Sequence, residues 1–196
     1  MNDAFDLTDI RSYIFTLPFV LQVFLIMIVT DFVQYWVHRM FHKIPWLWKF
    51  HAVHHSAENM DWLAGARMHF LEIGVLRGLT AVPMFTLGFK PEAIQAYVLV
   101  VYFYSSFVHA NIGWNLKSVE RFLVTPRFHH WHHGKERAAI DVNFSIHFPL
   151  YDWLFGTHHM PEDGTWPKKY GVMGKKMPKG FWKQFMYPFR RQTEDK

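Results

Sequence analysis

The side chains of this sequence that are best suited to chemistry are its histidines, because their spacing is regular. An H-x-x-x-H motif occupies 38–42, two H-x-x-H-H motifs occupy 51–55 and 129–133, and His109 stands alone. In a helix, residues three and four positions apart lie on one face, so each motif can direct two or three imidazoles to one point. Imidazole is a common ligand for iron, copper, zinc and nickel. The pattern therefore predicts a metal site.

The number of motif histidines indicates more than one metal ion. The nine are His38, His42, His51, His54, His55, His109, His129, His132 and His133. Nine nitrogens are too many for one tetrahedral zinc ion and suit two metal ions with four or five nitrogens each. Two adjacent redox-active metals in a lipid-facing protein favour oxygen chemistry on unactivated C–H bonds. No catalytic residue is predicted beyond this metal centre.

The two H-x-x-H-H blocks resemble each other beyond their histidines. KFHAVHHSAE (49–58) and RFHHWHHGKE (127–136) share the pattern [KR]-F-H-x-x-H-H-[SG]-x-E. Glu58 and Glu136 follow the last histidine by three residues and are expected to accept the free ring N–H of a ligand. Asp31 continues the face of His38 and His42 and is expected to act in the same outer layer.

The remaining histidines carry weaker signals. Isolated histidines such as His69 and His147 are usually hydrogen-bonded structural residues. The pair His158 and His159 is expected at the surface. His130 lies inside the second H-x-x-H-H block.

The composition limits which kinds of reactive site the chain can have and which partners it can bind. The chain has 196 residues, 51% of them hydrophobic, and no cysteine, so disulfides, thiolate-bound metals and cysteine nucleophiles are excluded. Its net charge of +5 comes entirely from residues 162–196, and residues 1–161 are neutral overall. A neutral body argues against nucleic-acid binding, and a basic tail favours attraction to an anionic membrane.

The elements that must position these histidines are predicted to be membrane helices. Residues 13–30 contain no charge and predict a first membrane helix over 12–37. A hairpin is predicted over 70–112, with a turn at 88–91 and a lipid channel that opens laterally between its helices. The segment 162–196 is expected to lie at the membrane interface or to pack on the domain as an amphipathic tail.

Together these elements predict a fold. We expect one all-α integral membrane domain over 1–196, with about three transmembrane helices and a helical cap that carries the metal site. The positive-inside rule places the cap and the tail on the cytoplasmic side. A bacterial inner membrane is favoured over the endoplasmic reticulum.

The same residues resemble the fatty acid hydroxylase superfamily, also called the sterol desaturase family. The stretch DFVQYWVHRMFHKIPWLWKFHAVHHS (31–56) is similar to the family's first two histidine motifs. GARMHFLE (65–72), TPRFHHWHHGKE (125–136) and NFSIHFPLYDWLFGT (143–157) resemble its later elements. The resemblance covers about 30–172. It implies an integral membrane enzyme with two iron ions that uses O2 and external electrons to hydroxylate or desaturate a fatty acyl, sterol or related lipid.

Carried over by position, the resemblance makes the nine motif histidines the iron ligands. Gly113 stands where some members have a further histidine, so His69, His130 or a water could be a tenth ligand. Asn111 and Asn143 are expected near the ligands. Phe70, Ser145 and Tyr151 depart from the family's usual Pro, Gly and Trp. The short N-terminal region suggests either a minimal member or one that pairs with other chains, and a homo-oligomer is one form of the second alternative.

The electron donor must be another protein, because no flavin, nicotinamide or iron–sulfur motif is recognisable. A cytochrome b5-type protein or a ferredoxin with its reductase is expected, docking on basic residues near the membrane. The alternative function is a non-catalytic, histidine-rich membrane protein that binds or transports metal. A membrane cytochrome with two histidine ligands to haem is less compatible with histidine triplets within one turn.

Overall fold

The computed structural model of the protein describes residues 6–190, and over that range it consists of helices and loops without a β-strand. The all-helical prediction is therefore confirmed for this part of the chain. The helices are α1 (Leu7–Thr16), α2 (Phe19–Lys43), α3 (Pro45–His54), α4 (Phe70–Thr86), α5 (Pro91–His109), α6 (Pro126–His132), α7 (Leu150–Leu154) and α8 (Phe181–Phe185). The predicted domain limits extend to residues 1–5 and 191–196, which lie outside the described residues.

The predicted first membrane helix over 12–37 is divided in the structure. Helix α1 ends at Thr16 and α2 begins at Phe19, with Pro18 between them. Proline lacks a backbone N–H and disfavours helical geometry in the residue before it, and Leu17 accordingly has an extended backbone (φ −62°, ψ 150°). Helix α2 then continues six residues beyond the predicted end, to Lys43, so that His38 and His42 lie in its last turns.

The predicted hairpin is present as α4 and α5. Gly88 takes a left-handed backbone (φ 77°) in the turn between them. Both helices pack on α2, and the shared core contains Ile26, Met84 and Tyr97. Within this packing Thr30 donates a hydrogen bond to the Tyr97 hydroxyl over 2.8 Å. Helix α2 thus forms the central support of the fold.

Helix α2 is, among residues 6–190, the one helix that is both long and apolar enough to cross a membrane. Its 25 residues give a length of about 37 Å, whereas α4 has 17 residues. One candidate span is therefore found where three were predicted. The further crossings remain a proposal.

Two short helices carry the H-x-x-H-H blocks. Helix α3 starts at Pro45, directly after α2, and α6 starts at Pro126 behind the side-chain cap of Thr125. Proline favours the first helical position because its missing N–H would be unpaired there. Both helices end within their histidine blocks, at His54 and His132. The chain is therefore turned sharply at each block.

The basic tail packs back on the helices in its described part. Phe185 stacks on Phe70 with ring centroids 5.3 Å apart, and Phe189 contacts Phe50. Phe181 and Trp182 remain exposed. The prediction that the tail packs on the domain therefore holds for part of it. Residues 191–196 lie outside the described range.

Candidate metal centre

The nine motif histidines lie together in two clusters. The first cluster contains His38, His42, His51, His55 and His132, and the second contains His54, His109, His129 and His133. Within each cluster, one ring nitrogen of every member lies within 4.8 Å of the others. Eight of the nine residues are buried, and His42, which is of intermediate exposure as a whole, has a side chain that is only 7% exposed.

Each H-x-x-H-H block contributes histidines to both clusters. His51 and His55 belong to the first cluster, but His54 of the same block belongs to the second. In the other block His129 and His133 belong to the second cluster, and His132 belongs to the first. Two histidines of each block thus share one cluster, as the spacing predicted, whereas the third lies in the other cluster. Successive residues are rotated by about 100° around a helix axis, so His54 and His55 cannot share a target.

The clusters are in direct contact. The rings of His55 in the first cluster and His133 in the second stack with centroids 4.3 Å apart, and those of His54 and His55 are 5.6 Å apart. His129 and His132 are also stacked, at 5.4 Å. Two ions held by these clusters would be immediate neighbours.

Hydrogen bonds on the outer side of the rings determine which nitrogens face inward. His38 donates from Nδ1 to the Phe144 carbonyl over 2.8 Å, and His132 donates to the Val142 carbonyl over 2.8 Å. A carbonyl oxygen can only accept, so Nδ1 carries the proton and Nε2 of the neutral ring has a lone pair. His54 and His109 donate in the same way to the carbonyls of Arg67 and Ser105.

The inward nitrogens face one another at short distances. Nε2 of His38 lies 3.0 Å from Nε2 of His51, and Nε2 of His109 lies 3.0 Å from that of His129. In the His38–His51 pair both Nδ1 atoms are engaged, so two lone pairs face each other there, and they repel unless a cation lies between them. Metal–imidazole bonds of about 2.1 Å at right angles place two ligand nitrogens about 3.0 Å apart, which matches these distances.

Two further observations fit metal binding. Nε2 of His42 is buried and has no hydrogen-bond partner among the described residues, although it lies within the first cluster. Burial lowers the pKa of His55 and His132 well below the usual value near 6.5, and neighbouring imidazoles lower it further. These rings are therefore neutral near pH 7, which is the form that binds a metal. An all-imidazole donor set suits iron, copper, zinc or nickel.

The carboxylate that contacts a cluster histidine most closely is one the motif spacing did not single out. Glu72, in α4, accepts a hydrogen bond from Nδ1 of His51 over 2.5 Å and is almost fully buried. A signal was available, because Glu72 is an acid within an apolar stretch and lies in the GARMHFLE element. A second carboxylate, Asp141, has its Oδ1 3.6 Å from Nδ1 of His42.

The expectation for Glu58 and Glu136 is not met by the geometry. Glu58 is exposed, and no hydrogen bond joins it to a histidine ring in the described structure. Glu136 accepts from the backbone N–H of Lys168 instead. Both blocks end their helices before these positions, so the helical spacing that placed the glutamates near the rings does not continue.

Asp31 acts through the backbone instead of through a ligand ring. Its carboxylate accepts from the N–H groups of Ile146, His147 and Phe148 at 2.9–3.2 Å. Asp152 accepts from the N–H groups of Phe144 and Ser145 at 2.8 Å. The two buried carboxylates thereby hold the 144–148 segment, whose Phe144 carbonyl orients His38.

The two predicted asparagines do not contact the clusters. Asn143 is buried with a left-handed backbone (φ 59°), and its amide donates to the carbonyls of Phe128 and His159. It therefore joins α6 to the 157–159 segment. Asn111 is exposed and makes no hydrogen bond to a cluster ring in the described structure.

His69 and His130 lie outside both clusters. His69 accepts at Nδ1 from the N–H of Leu71 and donates from Nε2 to the Phe185 carbonyl. His130 contacts the Tyr170 hydroxyl at 2.9 Å and donates from Nε2 to the His109 carbonyl over 3.2 Å. With both ring nitrogens engaged, neither side chain is free to be a tenth ligand.

The last three histidines, His147, His158 and His159, lie outside both clusters and pack against aromatic side chains. His147 is fully buried. His158 stacks on Trp153 at 3.9 Å, and His159 contacts Trp131 at 4.8 Å. The pair at 158–159 is half-buried, so it lies only partly at the predicted surface position. Nearby aromatic side chains cover these rings.

Two cavities reach the clusters from different directions. A narrow cavity of about 40 Å³ lies between α2, α4 and α5 and touches both clusters at His38 and His109. A wider one of about 330 Å³ reaches the first cluster at His42, beside Trp48. A separate, larger groove of about 840 Å³ contains none of the nine histidines.

Comparison with known proteins agrees with this arrangement. The family model "Fatty acid hydroxylase" matches residues 23–157, a range that includes all nine clustered histidines. An ornithine lipid hydroxylase of Rhizobium tropici is 31% identical over 175 residues, which is 89% of this chain and 52% of that protein. No solved structure matches the chain.

Other relatives act on different lipids according to their names. Human alkylglycerol monooxygenase is 32% identical over 127 residues, which is 65% of this chain and 28% of that protein. Methylsterol monooxygenase 2-2 of Arabidopsis thaliana is 32% identical over 141 residues, or 69% and 52%. The chain thus spans about half or less of the length of these relatives.

Proposed function

Because this chain belongs to the fatty acid hydroxylase family, we propose that it is a membrane-bound oxygenase that hydroxylates a lipid at a di-iron centre. One atom of O2 enters the C–H bond and the other leaves as water, with two electrons and two protons supplied from outside. The observation that carries this proposal is the pair of contacting histidine clusters with inward-facing Nε2 atoms. Desaturation of the same lipid is the alternative reaction.

The first cluster would hold one iron ion and the second cluster the other. When bound, the two ions would supply the redox chemistry that activates O2. Where Nδ1 donates to an acceptor, as it does in His38 to the Phe144 carbonyl, the neutral ring keeps Nε2 unprotonated. The Glu72 carboxylate strengthens His51 as a donor because it accepts the Nδ1 proton.

The substrate is proposed to be a fatty acyl, sterol or related lipid that arrives laterally from the bilayer. The narrow cavity between α2, α4 and α5 supports this route, because it ends at the clusters and its outer helices expose apolar side chains such as Val75 and Phe103. Its small volume means that side chains such as Met68 must move when a lipid enters.

We also propose a membrane arrangement and protein partners for this chain. Helices α2, α4 and α5 cross or enter the membrane, with the histidine cap and basic tail on the cytoplasmic side of a bacterial inner membrane. A ferredoxin with its reductase, or a cytochrome b5-type protein, supplies electrons. Assembly into a homo-oligomer is a further proposal.

The test is metal analysis combined with lipid profiling of cells with and without the protein. We expect close to two iron ions per chain and a new hydroxylated lipid. His54→Ala and His132→Ala, which affect different clusters, should each lose iron and product while membrane insertion is retained. His158→Gln is the matched control and should keep both.

Three results would contradict the proposal. Activity retained in both alanine variants would mean that the ligand set is wrong. One zinc ion per chain without iron would favour the metal-binding or transport alternative. A Soret band in the optical spectrum would indicate a haem protein.

A further inference from the structure

The large groove is lined mainly by apolar side chains from parts of the chain that are distant in sequence. Its lining includes Phe24 and Ile28 of α2, Leu150 and Trp153 of α7, and Phe122 in the segment before α6. Phe24 is 47% exposed and Phe122 is 67% exposed. The volume of about 840 Å³ lies in the range of about 300–1,000 Å³ that small-molecule sites usually have. The groove therefore offers an open apolar surface that is large enough for a hydrocarbon chain.

Charged side chains also line the groove, and they are Lys117, Glu120, Arg121, Arg127 and Glu162. Glu120 and Arg127 neutralise each other, because Nη2 of the arginine lies 2.6 Å from Oε2 of the glutamate. The other three side chains are exposed, and neither the Lys117 ammonium nor the Arg121 guanidinium forms a hydrogen bond or an ion pair with another described residue. Two cations and one carboxylate remain, so the groove has an excess of one positive charge.

The apolar and the charged parts of the groove lie at different levels of the fold. Phe24 belongs to α2, the candidate membrane span, and lies 14 residues before His38, which is about 21 Å along the helix axis. Arg127 is in the first turn of α6, the helix that carries the second H-x-x-H-H block, and its ion pair with Glu120 brings the 117–121 segment to that level. The groove thus extends from the histidine cap toward the part of α2 that is proposed to lie in the bilayer. A molecule with a charged head and a hydrocarbon chain has the same polarity.

We propose that the large groove binds one phospholipid of the surrounding bilayer whose head group is anionic, with its phosphate on Arg121 and Lys117 and an acyl chain beside Ile28 and Phe24. Arginine can bind two phosphate oxygens at once, and lysine acts as a point charge. An anionic head also neutralises the excess positive charge of the groove. None of the nine clustered histidines lines the groove, so the bound lipid is not the lipid that is oxidised. This site goes beyond the proposed oxygenase function and requires no metal.

A lipid in the groove would add contacts between elements that already meet there. The Tyr151 hydroxyl of α7 donates a hydrogen bond to the Ile28 carbonyl of α2 over 3.0 Å, and the rings of Phe148 and Phe24 meet edge to face at 5.8 Å. A ligand that binds the folded state and not the unfolded chain stabilises the protein by mass action. The Tm of the protein should therefore rise with the concentration of the lipid.

The first test measures lipid binding to the full chain in detergent micelles. The probes are dipalmitoyl phosphatidylglycerol, which is anionic, and dipalmitoyl phosphatidylcholine, which is zwitterionic and has the same chains. Native mass spectrometry should find one phosphatidylglycerol per chain, bound at least about fivefold more tightly than phosphatidylcholine. The preference should shrink as salt is added, because both cations are exposed. Equal binding of the two lipids would overturn the proposal.

Variants separate the head-group contacts from the chain contacts. Arg121→Gln should weaken binding of phosphatidylglycerol about fivefold, and Arg121→Lys should retain most of it. Ile28→Trp, which fills the apolar part of the groove, should weaken both lipids. Arg137→Gln is the matched control, because Arg137 is exposed and does not line the groove. Unchanged binding in both Arg121→Gln and Ile28→Trp would contradict the site.

The second test compares this site with other uses of the groove. Metal-free and iron-loaded protein should bind phosphatidylglycerol equally, and the lipid recovered from the iron-loaded protein after turnover should be unmodified. A new hydroxyl on the recovered lipid would show that the groove supplies the metal centre, and it would overturn the assignment of a separate site. Efficient disulfide cross-linking between two copies of the Trp153→Cys variant would show that a second copy covers the groove, which would also overturn the proposal.

Discussion

At the scale of single residues, the metal centre depends on hydrogen bonds made behind the ligands. Backbone carbonyls hold the rings of His38, His54 and His132, whereas His51 is held by the Glu72 carboxylate. A carboxylate acceptor increases the electron density on the opposite ring nitrogen. Glu72 should therefore influence metal affinity without touching the metal.

Replacement of Glu72 tests this role. Glu72→Ala removes the acceptor and should weaken metal affinity about 10- to 100-fold. Glu72→Gln keeps an oxygen acceptor and should lose much less. Competition with a chelator measures the difference, and Glu58→Ala is the control because Glu58 is exposed. Equal metal affinity in Glu72→Ala and the unchanged protein would show that Glu72 only fills space.

At the scale of elements, α2 does more than support the core. Through Asp31 it holds the 146–148 backbone, and through the packing of Tyr35 on Phe144 it contacts the same segment again. The Phe144 carbonyl in turn orients His38, which is also in α2. Helix and segment therefore position each other around the first cluster.

Loss of the Asp31 carboxylate should loosen this segment. Asp31→Ala leaves the buried N–H groups of Ile146 and His147 and the part-buried one of Phe148 without this acceptor, and each buried loss costs about 1–3 kcal/mol of stability. We expect a lower Tm and faster hydrogen exchange at Ile146–Phe148. Asp31→Asn keeps one oxygen and should be intermediate. Unchanged exchange in Asp31→Ala would mean that the segment is held by other contacts.

At the scale of the whole molecule, the two cavities divide access to the centre. The narrow cavity is lined by residues of α2, α4 and α5, the helices proposed to meet lipid, and the wider cavity reaches His42 and His55 beside Trp48 and Lys175. We propose that the lipid and the electron donor approach the metal centre from these two directions.

Charge reversal tests whether the electron donor docks on the basic segment 168–176. Lys175→Glu with Lys176→Glu should slow reduction by an acidic ferredoxin about tenfold at low salt, and the difference should shrink as salt is added. Lys117→Glu, in the large groove, should have little effect. Stopped-flow reduction measures the rates. A loss of equal size in the Lys117 variant would exclude a specific docking face.

The absence of cysteine allows a clean test of membrane topology. Glu92→Cys lies at the start of α5, near the hairpin turn, and Lys169→Cys lies in the basic segment; both positions are exposed. If α4 and α5 cross the membrane, an impermeant maleimide added outside spheroplasts should label only the Glu92→Cys protein. Labelling of both variants from one side would show that the hairpin does not cross.

The sequence by itself determined the set of nine histidines, the α4–α5 hairpin and the resemblance that the family match confirms. These features depend on local spacing and composition, which hold wherever the helix lies. Only the tertiary structure decided that His54 and His132 change clusters and that Glu72, not Glu58, reaches a ring. Side chains that meet across different helices depend on how those helices pack, and no local spacing contains that information. The same packing brought Ile28 and Arg121 to one groove.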